Sequence, residues 1–203
     1  MNKIKNILLE SGYIPDEMVD KILNDCSYYF KINGRPVESP PLYRGSQKFI
    51  TDYEIITPRK NRKPLDTPIE VHRALDKLFY NKFKWYVRSE GVFAIGKRGS
   101  ASEYGQPYIM LPIGKFKYVW SPYIYDLHSK LVNTGVIYAR GGKSKVIMEK
   151  DEYMPILKDL VSKYKDNDLD TAIHIGNEIS IKCDKYYIIN ENYLDISYRE
   201  LFW

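Results

Sequence analysis

The stretch GNEISIKCDKYYII, residues 176–189, contains two β-strand patterns in succession. After Glu178, apolar side chains recur at every second position up to Cys183, which is the spacing of a strand with one face on a hydrophobic core. An aromatic and β-branched run over residues 185–189 also favours a strand. The sequence therefore predicts strands over residues 178–183 and 185–189. Glu178 is expected at the head of the first, on its solvated face.

Further strand patterns cover residues 91–95, 108–112, 116–120, 136–139 and 145–148, and the Gly-Gly pair at 141–142 predicts a hairpin turn between the last two. Helical patterns cover residues 15–30, 67–83 and 123–131, and another helix is expected to open at Asp151. Helices and strands do not alternate as in a βαβ protein. The order predicts an α+β fold with a mixed or antiparallel sheet. We expect a helical N-terminal extension over residues 1–38 and one compact domain over residues 39–203.

The clearest helix start is Thr67-Pro68-Ile69-Glu70, with Thr at the N-cap, Pro at the first helical position and Glu three residues after the cap. This helix is expected to end near Phe83 and to turn Arg73, Asp76 and Lys77 to water. Its predicted apolar face consists of Ile69, Leu75, Leu78, Phe79 and Phe83. Ser121-Pro122 repeats the cap-and-proline pattern before residues 123–131.

Composition limits the class of protein. The 203 residues are 44% hydrophobic and 28% charged, and no window approaches the length of a membrane span. The N-terminus lacks a secretory apolar run, so we expect a cytoplasmic protein that does not bind membranes. Two isolated cysteines predict no disulfide, and three scattered histidines predict no metal site. A net charge of +5 favours an anionic partner.

A second motif, Leu42-Tyr43-Arg44-Gly45, lies far from the first in sequence. A guanidinium binds a phosphate through two parallel hydrogen bonds, and a following glycine lets the backbone approach a ligand closely. Taken alone, Arg44 and Glu178 are also typical of surface residues. The basic run over residues 59–63 fits either a solvated loop or a phosphate clamp.

The order of the segments resembles the mono-ADP-ribosyltransferase superfamily, in the branch whose first motif contains Arg and whose last contains Glu. The likeness is to phage-type proteins of that branch and extends over roughly residues 40–190. The matching segments are Tyr43-Arg44-Gly45, residues 59–68, His72, residues 88–93, 104–108 and 120–122, Asn177-Glu178-Ile179 and residues 183–187. The specificity lies in their order.

The resemblance implies an ADP-ribosyltransferase-like β core with peripheral helices, and an enzyme that uses NAD as substrate without a metal. It implies that Arg44, with Gly45 beside it, binds the NAD diphosphate and that Phe93 lies near nicotinamide. Ser89 stands in for the hydroxyl residues that usually end the middle strand, which here reads Phe93-Ala94-Ile95. Glu178 would be the catalytic residue, which stabilises the oxocarbenium-like transition state as nicotinamide leaves.

The acceptor stays open at this stage. Relatives that modify arginine usually have Gln or Glu two residues before the catalytic Glu, and this chain has Gly176. A protein side chain, a nucleic-acid base or water, as in NAD hydrolysis, therefore remains an alternative acceptor. A non-catalytic nucleic-acid-binding or virion-associated protein is the competing hypothesis, favoured by the basic loop and the 19 tyrosines.

Overall fold

The computed structural model describes residues 16–33, 41–64, 66–141 and 143–191. The fold mixes helices with antiparallel sheets, which confirms the predicted α+β class. The helices are α1 (Asp16–Asp25), α2 (Ser27–Ile32), α3 (Ile69–Phe83), α4 (Val87–Glu90), α5 (Arg98–Ala101), α6 (Leu127–Asn133), α7 (Lys150–Ser162) and α8 (Leu169–Ile175). The strands are β1 (Leu42–Ser46), β2 (Tyr53–Ile56), β3 (Val92–Ala94), β4 (Gln106–Ile113), β5 (Lys117–Trp120), β6 (Ile137–Arg140), β7 (Lys143–Val146), β8 (Ile179–Lys182) and β9 (Lys185–Ile189). A 3₁₀ turn (Ser102–Tyr104) precedes β4.

Two antiparallel sheets adjoin in the fold. The larger has the strand order β1-β4-β9-β2 and the smaller has the order β3-β8-β5. Backbone hydrogen bonds of 2.7 and 2.9 Å between Tyr43 and Ile95 join β1 to the end of β3. The first sequence motif, on β1, therefore lies beside the strand that pairs with β8.

Strand β8 is buried on both of its faces. Ile179 and Ile181 are fully buried, and Ser180, which lies between them, is only 2% exposed. Helix α4 packs against β8 and helps to cover the face that the sequence predicted to be solvated. Because both faces of β8 are covered, apolar and polar residues alternate along the strand as predicted, but their exposure does not alternate.

The first two helices pack on the larger sheet. The predicted helix over residues 15–30 is present as α1 and α2, with a break at Cys26; Pro15 lies outside the described residues. Met18, Ile22 and Tyr29 are buried in one hydrophobic cluster with residues of β1, β4 and β9. The predicted extension over residues 1–38 is described only from residue 16 to residue 33.

A second hydrophobic cluster lies between α3, α6, α7 and the β6–β7 hairpin. Its contribution from α3 differs from the prediction. Ile69, expected on the apolar face, is 45% exposed, whereas His72 and Asp76 are 4% and 5% exposed. The expectation that Asp76 faces water was therefore wrong, because the buried face of α3 runs through Val71, His72, Leu75, Asp76 and Phe79.

The predicted helix boundaries are partly confirmed. Helix α3 begins at Ile69, two residues after the predicted cap, and ends at Phe83 as expected. Helix α6 begins four residues later than predicted, because Asp126 rather than Ser121 caps it by accepting the Ser129 N–H at 2.6 Å. The sequence did not predict β2, α4, α5 or α8.

Three findings concern the described residues as a whole. Cys26 and Cys183 are both buried and both free, as predicted. In the described ranges no helix is long and apolar enough to cross a membrane, and no three His, Cys, Asp or Glu side chains are grouped to hold a metal ion.

Candidate active site

Glu178 is the residue directly before β8, and both its backbone and its side chain make hydrogen bonds to other elements. Its backbone N–H donates to the Tyr125 carbonyl at 2.9 Å. Its carboxylate accepts a hydrogen bond from Arg88 Nη1 at 3.2 Å, and only 15% of its side chain is exposed. The structure therefore places Glu178 in a largely enclosed position instead of on the solvated face that the sequence predicted.

The surroundings of Glu178 change its proton affinity. Burial raises the pKa of Glu178 to about 7, although the positive charges of Arg88 and Arg62 lower it. The Asp126 carboxylate adds a further rise. Near neutral pH the side chain therefore exchanges between a neutral and a charged form. A desolvated carboxylate with few donors interacts strongly with positive charge that develops beside it.

Two guanidiniums lie over the ring of Phe93 on β3. The central carbon of Arg88 is 4.5 Å from the ring centroid, and that of Arg62 is 4.6 Å from it. The main chain fixes both segments, because Arg62 N–H donates to the Ser89 carbonyl at 3.0 Å. Phe93, expected near nicotinamide, is thus the aromatic centre of a cationic cluster that also reaches Glu178.

Arg44 approaches the same strand from β1. Its Nη1 donates to the Phe93 carbonyl at 2.7 Å. Its guanidinium also hydrogen-bonds the phenolic oxygen of Tyr186, which partly offsets the burial that raises the pKa of that tyrosine. Arg44 therefore lies on the β1 side of Phe93, whereas Glu178 lies on the β8 side, and Arg88 rather than Arg44 contacts the carboxylate.

Positive charge exceeds negative charge in this cluster. Burial lowers the pKa of Arg62 to about 10, and the neighbouring guanidiniums of Arg44 and Arg88 lower it further. Among the residues that the structure describes, Arg62 Nη1 and Arg88 Nε are buried and have no hydrogen-bond partner. Buried donors that lack an acceptor favour binding of an anion, and a diphosphate supplies several acceptor oxygens at once.

Arg62 and Arg88 were not among the predicted site residues. Arg62 lies in the basic run that the sequence left open between a solvated loop and a phosphate clamp, and the structure turns this one side chain towards Phe93 while Arg59 and Lys60 are exposed. A sequence signal for Arg62 did exist, since the resemblance includes residues 59–68. The same kind of signal existed for Arg88, since the resemblance also includes residues 88–93.

Close packing within the chain explains why position 45 is a glycine. A Cβ at this position would lie 2.4 Å from the Ala101 carbonyl oxygen and 2.8 Å from the Tyr104 Cβ. The close approach that its lack of a side chain permits is made by α5 and the 3₁₀ turn. That Gly45 also contacts a cofactor stays a prediction.

Ser89, the other predicted cofactor contact, takes part in a buried network. Its hydroxyl donates to Asp76 Oδ2 and lies 3.0 Å from His72 Nε2. The other oxygen of Asp76, Oδ1, accepts the Arg88 backbone N–H at 2.7 Å. The hydroxyl of Ser89 thus bonds α3, so any contact that it makes with a cofactor stays a prediction.

The backbone explains the glycine two positions before Glu178. Gly176 ends α8 in the left-handed conformation, with φ of 77°, and a Cβ there would lie 2.6 Å from carbon atoms of the Lys97 side chain. Glycine adopts this conformation without strain. Asn177 then fixes the approach to Glu178, because its Nδ2 donates to the Ser121 carbonyl at 2.8 Å.

Comparisons with known proteins identify no relative for this chain. No family model, no curated protein and no solved structure matches the chain. The cluster around Phe93 and the order of the sequence motifs are therefore the observations that bear on function.

Proposed function

We propose that this protein is an NAD-dependent mono-ADP-ribosyltransferase that cleaves the bond between nicotinamide and ribose and transfers ADP-ribose to a macromolecule. One observation carries the proposal: the guanidiniums of Arg62 and Arg88 lie over the Phe93 ring, and Arg88 also bonds the largely enclosed Glu178 carboxylate. Arg44 joins this cluster by donating to the Phe93 carbonyl. Dinucleotide cleavage requires this combination of an anion-binding cluster and a carboxylate beside the sugar. The adjoining antiparallel sheets support the ADP-ribosyltransferase-like fold that belongs to the proposal.

In this proposal Arg44 and Arg62 bind the diphosphate, and the edge of Phe93 contacts nicotinamide. As the glycosidic bond breaks, its electron pair leaves with nicotinamide and the ribose carbon becomes oxocarbenium-like. Glu178 stabilises this cation through its negative charge. The acceptor then forms the new bond to the ribose carbon and loses its proton. Because Glu178 acts as the carboxylate, the rate of cleavage should rise with pH through about 7.

The acceptor is left open within the proposal. Gly176 offers no side chain where arginine-modifying relatives place Gln or Glu, and its left-handed backbone accounts for the glycine independently of any acceptor. If water replaces the macromolecule, the same steps give NAD hydrolysis. Comparing the release of nicotinamide with the labelling of added proteins and nucleic acids separates the two outcomes.

The proposal is tested by nicotinamide release from radiolabelled NAD. Glu178→Gln keeps the shape of the side chain and is expected to lower kcat by about 100-fold or more. Arg44→Lys removes the paired donors of the guanidinium and is expected to raise KM. Arg140→Lys is the matched control, because Arg140 is exposed on the β6–β7 hairpin and is not among the residues of the cluster around Phe93. Equal turnover in wild type and Glu178→Gln would contradict the role of Glu178.

A nucleic-acid-binding protein without catalysis is the second candidate. Tyr104, Tyr123 and Tyr125 are 56%, 77% and 46% exposed, and the Tyr125 carbonyl bonds Glu178, so exposed rings lie near the site. Exposed aromatic rings stack on bases. This candidate predicts binding to single-stranded RNA or DNA that weakens steeply with salt, and no nicotinamide release. A virion-associated protein that has the fold without the activity would show neither.

A further inference from the structure

We infer that Asp76 is a positioning residue, which holds the Arg88 segment from beneath so that the guanidinium meets Glu178. Asp76 touches neither Glu178 nor Phe93 in any contact that the described residues show. It acts on the main chain, because Oδ1 accepts the Arg88 N–H at 2.7 Å. The kinetic part of the inference rests on the proposed function, whereas its structural part does not.

The network around Asp76 has a defined arrangement of protons. Ser89 has one hydroxyl proton and donates it to Asp76 Oδ2. His72 Nε2, 3.0 Å from the Ser89 oxygen, must then be the donor in their contact. Burial lowers the pKa of His72 and so favours the neutral ring, and the contact with Ser89 places its proton on Nε2. Nδ1 is buried and has no partner among the described residues. Asp76 is thus the final acceptor of this network.

The network reaches both guanidiniums that lie over Phe93. Asp76 fixes the backbone of Arg88 and the hydroxyl of Ser89, and the Ser89 carbonyl accepts the Arg62 N–H at 3.0 Å. Helix α4 has only four residues, too few to hold its own place by helical hydrogen bonds. Its position therefore depends on its neighbours β8 and α3, and on α3 the Asp76 side chain that bonds it is 5% exposed.

The position of Arg88 affects Glu178. Charged and titratable groups on several elements face the Glu178 side chain. These are Arg88 on α4, Asp126 before α6, Arg62 after β2, Tyr104 on the 3₁₀ turn and Tyr164 after α7. Arg88 is the group that hydrogen-bonds the carboxylate. Loosening Arg88 weakens that bond, so the pKa of Glu178 is expected to rise.

The test is a carbon-13 NMR titration of Glu178 in protein labelled at glutamate carboxyl carbons, with Glu178→Gln used to assign the signal. Asp76→Asn is expected to raise the pKa of Glu178 by about one unit. Ser89→Ala should raise the pKa less, because the hydrogen bond that the Arg88 N–H donates to Asp76 remains. Lys77→Gln, an exposed neighbour on α3, should leave it unchanged. An unchanged pKa in folded Asp76→Asn overturns the inference; if that variant does not fold, Ser89→Ala decides in the same way.

Nicotinamide release on the same proteins provides the second readout. A positioning role predicts that Asp76→Asn moves the rise of kcat to higher pH and that activity recovers there. A general loss of structure would lower kcat equally at every pH and would overturn the inference. If the pKa of Glu178 shifts while wild type releases no nicotinamide, the positioning role stands and the proposed function fails.

Discussion

The Arg88 segment joins two carboxylates whose surroundings differ: Asp76 on α3 beneath it, and Glu178 at the head of β8. Both side chains are largely buried, with 7% and 15% of their surfaces exposed. Asp76 accepts a backbone N–H and a hydroxyl, whereas Glu178 accepts a single guanidinium bond at 3.2 Å. The supply of donors, more than burial, therefore distinguishes the Asp76 carboxylate from the Glu178 carboxylate.

Removing the Asp76 carboxylate should have the largest effect on the stability of the protein. Asp76→Ala leaves the Arg88 N–H and the Ser89 hydroxyl without their acceptor inside the protein, and we expect the free energy of unfolding to fall by about 4 kcal/mol. Urea denaturation at neutral pH measures it. Lys77→Ala, on the exposed side of the same helix, should change stability by less than about 0.5 kcal/mol. Similar losses in the two variants would contradict the anchoring role.

Removing the Glu178 carboxylate should instead stabilise the protein. The pKa of Glu178 is about 7 in the folded chain against an ordinary 4.5, so its stabilising contribution is present below about pH 4.5 and is lost as pH rises through 7. Glu178→Gln lacks this loss, and its stability relative to wild type should grow by up to about 3 kcal/mol between pH 4.5 and 8. Thermal unfolding across this pH range measures the difference.

Glu90→Gln is the control of opposite sign. Burial of Glu90 is outweighed by hydrogen bonds from Lys182 and the Tyr86 N–H, which hold its pKa below the usual range. This substitution should destabilise the protein at neutral pH, with an effect that fades as pH falls. If Glu178→Gln behaved in the same way, Glu178 would belong with the anchoring carboxylates.

The single donor at Glu178 can also be removed. Arg88→Met should raise the pKa of Glu178 by about one to two units, because a hydrogen bond and a positive charge are lost together. Arg62→Met removes a charge without a hydrogen bond to Glu178 and should have a smaller effect. The carboxyl titration by NMR measures both. Equal shifts would mean that charge alone, and not the bond from Arg88, sets the proton affinity.

The smallest effect is expected just before the head of β8. Gly176→Ala places a Cβ at φ of 77° and requires Lys97 to move, at a cost of about 1 kcal/mol. Chemical denaturation measures this cost, and Gly99→Ala, with open space around its Cβ position, is the control. A variant as stable as wild type would show that backbone strain does not exclude a side chain at position 176.

Much of the framework was predictable because it depends on local patterns. Strand β9 matches its predicted residues 185–189, and the end of α3 at Phe83 matches as well. The error at Asp76 was avoidable in part, since His72, Asp76, Phe79 and Phe83 recur at helical spacing on one face. An acidic residue in such a series is ordinarily assigned to the surface, and only the donors supplied by residues 88 and 89 make its burial possible.

The sequence by itself determined the class of fold, most of the strands and the identity of two candidate residues, Arg44 and Glu178, because periodicity and motif order are properties of the chain alone. Only the tertiary structure decided that Arg88 is the partner of Glu178 and that Arg62 turns inward to Phe93. These contacts join segments up to 90 residues apart. Their energies depend on burial and on hydrogen-bond donors from other elements, and no local pattern in the sequence encodes either.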